Sequence, residues 1–176
     1  MTAATSKSNP SKTPQLPEIT IVRVDYNNQA HREDLVAMLD DYACDIMGGG
    51  AVLPSDVKAK LGQALADFGG AYSFLAYRGD EPVGLVNCIL GFSTFKAAPL
   101  LNIHDLAVIA SARRLGIGKK LLAEVETLAR ELGCCKLTLE VLEGNNIAQA
   151  AYIQAGFEGY QLDATTGKAL FWQKPL

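Results

Sequence analysis

Apolar and polar positions change their period several times along this 176-residue chain. Ile19 to Val24 (ITIVRV) alternates, which predicts a short strand. From Ala30 to Met47 the apolar residues Leu35, Met38, Leu39, Tyr42 and Ile46 recur at helical steps, and Gly48, Gly49 and Gly50 end that helix. A second helix follows, with Ser55 and Asp56 as caps and Val57, Leu61, Leu65 and Phe68 along one side; Gly69 and Gly70 close it. Ala71 to Tyr77 and Val83 to Phe92 form a hairpin around the turn Arg78-Gly79-Asp80-Glu81, and Leu100 to Ile109 (LLNIHDLAVI) is a third strand.

The second half favours helices. Gly116 to Leu132 carries one apolar stripe of Ile117, Leu121, Val125, Leu128 and Leu132, with Gly133 placed as a C-terminal cap. Lys136 to Leu142 reads as a strand and Asn145 to Ala155 as a short helix. Phe157 to Leu162 and Ala169 to Gln173 read as terminal strands around a turn at Thr166 and Gly167. The order describes an α/β fold, a mixed sheet with helices on both faces.

The length suits a single domain, expected over 18–176. Met1 to Pro17 is rich in Ser, Thr, Lys and Pro, and reads as a solvated tail. It has no apolar core of a secretory signal, and no apolar run reaches the roughly 18 residues of a membrane span. A cytoplasmic protein with no membrane partner is expected. Hydrophobic residues make up 49% of the chain and charged ones 20%, which excludes wholesale disorder. The formal net charge of -3 argues against a general nucleic-acid binder. Cys44, Cys88, Cys134 and Cys135 show no metal-ligand spacing and the only histidines are His31 and His104, so reduced, mostly buried thiols and no metal site are expected.

The informative segment is Arg113-Arg114-Leu115-Gly116-Ile117-Gly118-Lys119-Lys120, between a strong strand and the strongest helix. Glycines there let backbone N–H groups crowd around an anion, and the helix N-terminus adds partial positive charge. A Walker loop fails, because Lys120 stands where Ser or Thr is required and Arg113 where the first glycine is required. A dinucleotide fingerprint fails at Leu121. The pattern that fits is Arg-x-x-Gly-x-Gly.

This loop follows LLNIHDLAVI and precedes Leu139-Glu140-Val141-Leu142-Glu143-Gly144-Asn145-Asn146, then Tyr152, then Gly156-Phe157. The ordered set resembles the acetyl-coenzyme A binding core of the GCN5-related N-acetyltransferase (GNAT) superfamily. The resemblance runs from about Ile19 to the end. Gly91 to Phe95, Pro99 to Leu101 and His104 to Val108 look like the branch that holds diamine and polyamine acetyltransferases, although His104-Asp105 stands where those relatives tend to have Glu-Asp. The resemblance implies the acyl-CoA N-acyltransferase fold with a mostly antiparallel sheet. It implies that N–H groups of Arg113, Arg114, Leu115, Gly116, Ile117, Gly118 and Lys119 hold the pyrophosphate of acetyl-CoA. It also implies that Leu106, Ala107 and Val108 pair with the pantetheine arm where their strand splays from Lys136 to Leu142, that Asn145 contacts the cofactor, and that Tyr152 lies beside the thioester sulfur.

The chemistry of amide transfer agrees with these roles. An alkyl ammonium with a pKa near 10.4 is neutral in about one molecule in a few thousand at pH 7, so a site must take its proton. His104, Asp105 and Glu140 are the candidate acceptors; strand alternation sends His104 and Asp105 to opposite faces. A backbone N–H near Leu106 suits the developing oxyanion, and the Tyr152 hydroxyl suits the leaving thiolate. Tyr152 also belongs to an apolar face with Ile147, Ala148, Ala151 and Ala155, which fits a core aromatic equally well. Asp40, Asp41 and Asp45 border the expected acceptor side, either as a seat for a cationic amine or as a solvated acidic face. The expected activity is acetyl transfer to a small, cationic primary amine in a ternary complex. The alternatives are a protein or peptide amine as acceptor, or an acyl-CoA sensor without catalysis. A homodimer is an expectation by analogy alone.

Overall fold

The computed structural model describes residues 18–163 and 165–176; the expected tail lies outside them. Strand β1 (Ile19–Arg23) leads to helix α1 (Gln29–Cys44), whose first turn is capped by Asn28 accepting from the N–H groups of Ala30 and His31. Helix α2 (Ser55–Phe68) follows, then β2 (Ala71–Arg78), β3 (Glu81–Ser93) and β4 (Ala98–Val108). A 3-10 turn at Ala110–Ala112 leads into α3 (Ile117–Glu131), β5 (Leu137–Leu139) and α4 (Asn146–Gln154). The sheet order is β1-β2-β3-β4-β5, antiparallel up to β4, with β5 added parallel to β4 after the α3 crossover.

Helices cover both faces, as expected. The predicted α3 stripe packs Ile117, Leu121, Val125 and Leu128 against Phe74, Ala76, Val86, Cys88, Leu101 and Ile103. Leu35, Met38 and Leu39 of α1 pack against Leu75 and Leu85 on the opposite face. Gly84 lets α3 sit this close: a Cβ there would stand 2.9 Å from the Ile117 Cγ2 and 3.3 Å from the Leu121 Cδ1.

Several expectations are corrected. Among the described residues the two terminal strands do not form; the segment shows one bridge, between Gln161 and Lys168, and Tyr160, Leu162, Leu170, Phe171 and Trp172 are exposed. Apolar residues flanking a turn mark a segment able to pair, but pairing needs an edge, and β5 ends after three residues. Ile46 lies beyond the end of α1 and is 85% exposed, while Phe68 and Ile147 also leave the core. Pro54, not Ser55, stands at the N-cap of α2, and no side chain caps it. All four cysteines are free, but only Cys88 is buried; Cys44 ends α1 and Cys135 lies in the α3–β5 loop, both exposed.

Candidate active site

β4 pairs with β3 along its whole length, but with β5 only at Leu101, Asn102 and Ile103. From His104 to Val108 its outer edge therefore has no strand partner among the described residues. The N–H of Ile109 bonds Val83 on the β3 side, so strand alternation turns the N–H groups of Val108 and Leu106 toward the open edge. A bulge interrupts β4 here. Asn87 opposes Asp105 and Cys88 opposes Ile103, which leaves His104 as the extra residue. Ile103 and Leu106, three apart, both pack into the α3-side core. Simple alternation thus fails to separate His104 from Asp105: His104 is exposed at the bulge, and Asp105 is half-buried.

The open edge runs directly into the glycine loop. Arg114 and Gly116 both take left-handed backbone conformations, with φ of 65° and 76°. For an arginine that conformation costs about 1–2 kcal/mol, and such strain clusters at functional sites. Gly116 caps α3 without a side chain, so the first-turn N–H groups have no helical acceptor. Arg113, Arg114, Leu115, Gly116 and Lys119 are exposed, and a Cβ on Gly116 or Gly118 would meet open space beyond its own stretch of backbone. Two of the four cations are committed elsewhere. Arg113 donates to the Val108 carbonyl at 3.0 Å and to the Asp45 carboxylate at 2.8 Å, and Lys120 donates to the Ile19 carbonyl at 3.2 Å. The main-chain cradle suits a diphosphate; Arg114 and Lys119 are the cations of the loop without such a bond among the described residues.

Across the sheet face, Tyr152 meets Phe157 edge-to-face with ring centroids 5.9 Å apart. Burial raises the Tyr152 phenol above its ordinary pKa, and Tyr42 adds to the rise. Tyr42 is itself raised, by burial first and then by the charges of Asp105 and Asp45. Tyr42 thus lies within electrostatic reach of Tyr152 on one side and of Asp105 and Asp45 on the other. Tyr42 was visible in the sequence only as a member of the α1 stripe. Asp105 Oδ2 accepts from Asn87 Nδ2 at 3.0 Å, another partner the sequence reading did not single out. Beneath them, burial and the Asp105 charge push the Cys88 thiol up to about 12.

Other predicted residues stand apart from this group. Glu140 is exposed and accepts from Asn102 at 3.3 Å, at the point where β5 leaves β4. Asn145 caps α4, accepting from the Ala148 N–H at 3.1 Å. The acidic cluster is largely spent on structure. Asp40 takes Lys58 and the Leu53 N–H, each at 2.8 Å, and Asp45 takes Arg113 and the Met47 N–H. Those bonds hold both carboxyls below the usual range, and Asp41 alone of the three has no such partner among the described residues. A cleft of about 320 Å³ between Glu126, Arg130, Lys136 and Phe157 touches none of the predicted site residues.

Among the described residues, no cluster of three or more potential metal ligands forms, and no helix is long and apolar enough to cross a membrane. Residues 35–157 match the acetyltransferase (GNAT) family. A thialysine N-epsilon-acetyltransferase of Caenorhabditis elegans is 27% identical over 128 residues, covering 69% of this chain and 74% of the relative. Among solved structures, a probable acetyltransferase superposes with a TM-score of 0.73 at 21% identity, over 89% of this chain and 97% of its own. AAC(6')-Iy in complex with the bisubstrate analogue CoA-S-monomethyl-acetylneamine superposes with a TM-score of 0.71 at 19% identity, over 90% and 99%.

Proposed function

Because the chain belongs to the acetyltransferase (GNAT) family, and is thereby an acetyl-CoA-dependent N-acetyltransferase, we propose that it acetylates a primary amine of a small cationic molecule in a ternary complex. The observation that carries this reading is the continuity of the unpaired β4 edge with the glycine loop and the start of α3. The N–H groups of Arg113 to Lys119 bind the pyrophosphate, and the open edge from Leu106 to Val108 takes the pantetheine arm as a strand would. Acetyl-CoA supplies an activated acyl group; the chain's residues do the rest.

Asp105 takes the ammonium proton, directly or through water. Its half-buried position, its bond from Asn87 and its nearness to Tyr42 favour it over His104 on the exposed bulge and Glu140 at the exposed rim. The Leu106 N–H is aimed to stabilise the oxyanion. Tyr152, kept protonated by its raised pKa, donates to the leaving sulfur. A cationic acceptor is supported by Asp105, by Asp41, and by relatives named for thialysine and aminoglycosides. A cytoplasmic homodimer completes the reading, supported by the exposed Ile147, Ile153, Phe171 and Trp172. An amine panel with thiol detection tests it: CoA release is expected with small diamines and not with neutral amides, and release with no amine would overturn it.

A further inference from the structure

A polar line crosses the otherwise apolar α1-facing side of the sheet. Ser73 on β2 and Asn87 on β3 oppose each other and are 1% and 5% exposed, on the face that carries Leu75 and Leu85. Buried polar groups are costly unless each finds a partner. Here Tyr26 OH lies 2.8 Å from Ser73 Oγ, Ser73 Oγ lies 2.5 Å from Asn87 Oδ1, and Asn87 Nδ2 lies 3.0 Å from Asp105 Oδ2.

The protons in this chain run one way. An ionised carboxylate only accepts, so Asn87 turns its NH2 to Asp105 and its carbonyl oxygen to Ser73. The single Ser73 proton then goes to Asn87, and Tyr26 must donate to Ser73. Burial raises the Tyr26 phenol, which keeps that proton in place. Successive donors polarise one another, so the bond on Asp105 draws on all three. The line begins after β1, crosses β2 and β3, and ends on β4 beside the bulge at His104. It occupies Oδ2, and Oδ1 takes no hydrogen bond from another described residue.

We propose that Asn87, Ser73 and Tyr26 are positioning residues that lock the Asp105 carboxylate with Oδ1 presented to the acceptor ammonium. This rests on the reading of Asp105 as proton acceptor. The bulge supplies the reason for the lock: a carboxylate next to an extra residue, on a strand edge without a partner, is not held by the ladder alone.

Steady-state kinetics of Asn87→Leu, Ser73→Ala and Tyr26→Phe test the proposal, with thermal midpoints measured in parallel. Expected is a graded fall in kcat, about 10-fold or more for Asn87→Leu, less for Ser73→Ala and least for Tyr26→Phe, with KM for acetyl-CoA within twofold of the wild type. Ser73→Thr, which keeps the hydroxyl, recovers most of the kcat lost in Ser73→Ala. In the unliganded protein, the Asn87 side-chain amide resonances are expected to move on Asp105→Ala and on Ser73→Ala. Tyr26→Phe, at the half-buried end, keeps the test open if a buried variant does not fold. A wild type that turns over while folded variants lose only thermal stability and keep its kcat overturns the positioning role alone. A wild type that releases no CoA with any amine overturns the acceptor reading and this role with it.

Discussion

At the scale of single residues, Tyr152 and Cys88 both hold their protons above the ordinary pKa but differ in what the proton does. If Tyr152 donates to the leaving sulfur as proposed, Tyr152→Phe is expected to lower kcat about 10- to 100-fold while leaving the acetyl-CoA dissociation constant nearly unchanged. Pre-steady-state CoA release and calorimetry separate those two quantities; an unchanged kcat would remove the phenol from the chemistry. Cys88 is a core thiol raised to about 12 by burial and by Asp105. Its proton is held more tightly folded than unfolded, so its contribution to stability is complete below about pH 8.5 and is lost as pH rises from there toward 12. Urea midpoints are expected to fall with pH above about 9 in the wild type, and Cys88→Ala should flatten that slope. Thiol labelling of the native chain is expected to reach Cys44 and Cys135 quickly and Cys88 only on unfolding.

At the scale of elements, the contact of α3 with the sheet depends on bare backbone at Gly84. Gly84→Val would drive two methyl groups toward Ile117 and Leu121 and is expected to cost about 1–3 kcal/mol, read by denaturant unfolding. Gly116→Val has open space, so its cost is conformational; it is expected to weaken acetyl-CoA binding more than it weakens the fold. Most of these elements were legible in the sequence. The α3 stripe names its buried residues because helical period and burial coincide there. The bulge at His104 left one trace, the doubled polar step His104-Asp105 between Ile103 and Leu106, but only the facing strand identifies it as an extra residue. The terminal strands failed because an apolar segment beside a turn does not announce whether an edge awaits it. Ser73 and Asn87 left a faint signal, as the polar residues that interrupt AYSFLAYR and VGLVNCIL, but their common end at Asp105 needs the register.

At the scale of the whole molecule, the α3 face supplies a packed support, and Tyr42 at the end of α1 lies within electrostatic reach of Asp105 on β4. The Arg113–Asp45 pair ties the loop before α3 to the end of α1 and so joins the two sides. Both carboxylate and guanidinium are partly solvated, and the pair itself contributes modestly. The exposed apolar side chains of α4 and the C-terminal segment predict self-association, and sedimentation at micromolar concentration should give twice the chain mass. A crystal structure of the complex with CoA tests the central claim most directly. The diphosphate is expected against the N–H groups of Leu115 to Lys119, with the pantetheine chain along Leu106 to Val108. A ligand seated instead in the cleft between Glu126, Lys136 and Phe157, with the β4 edge empty, would contradict it.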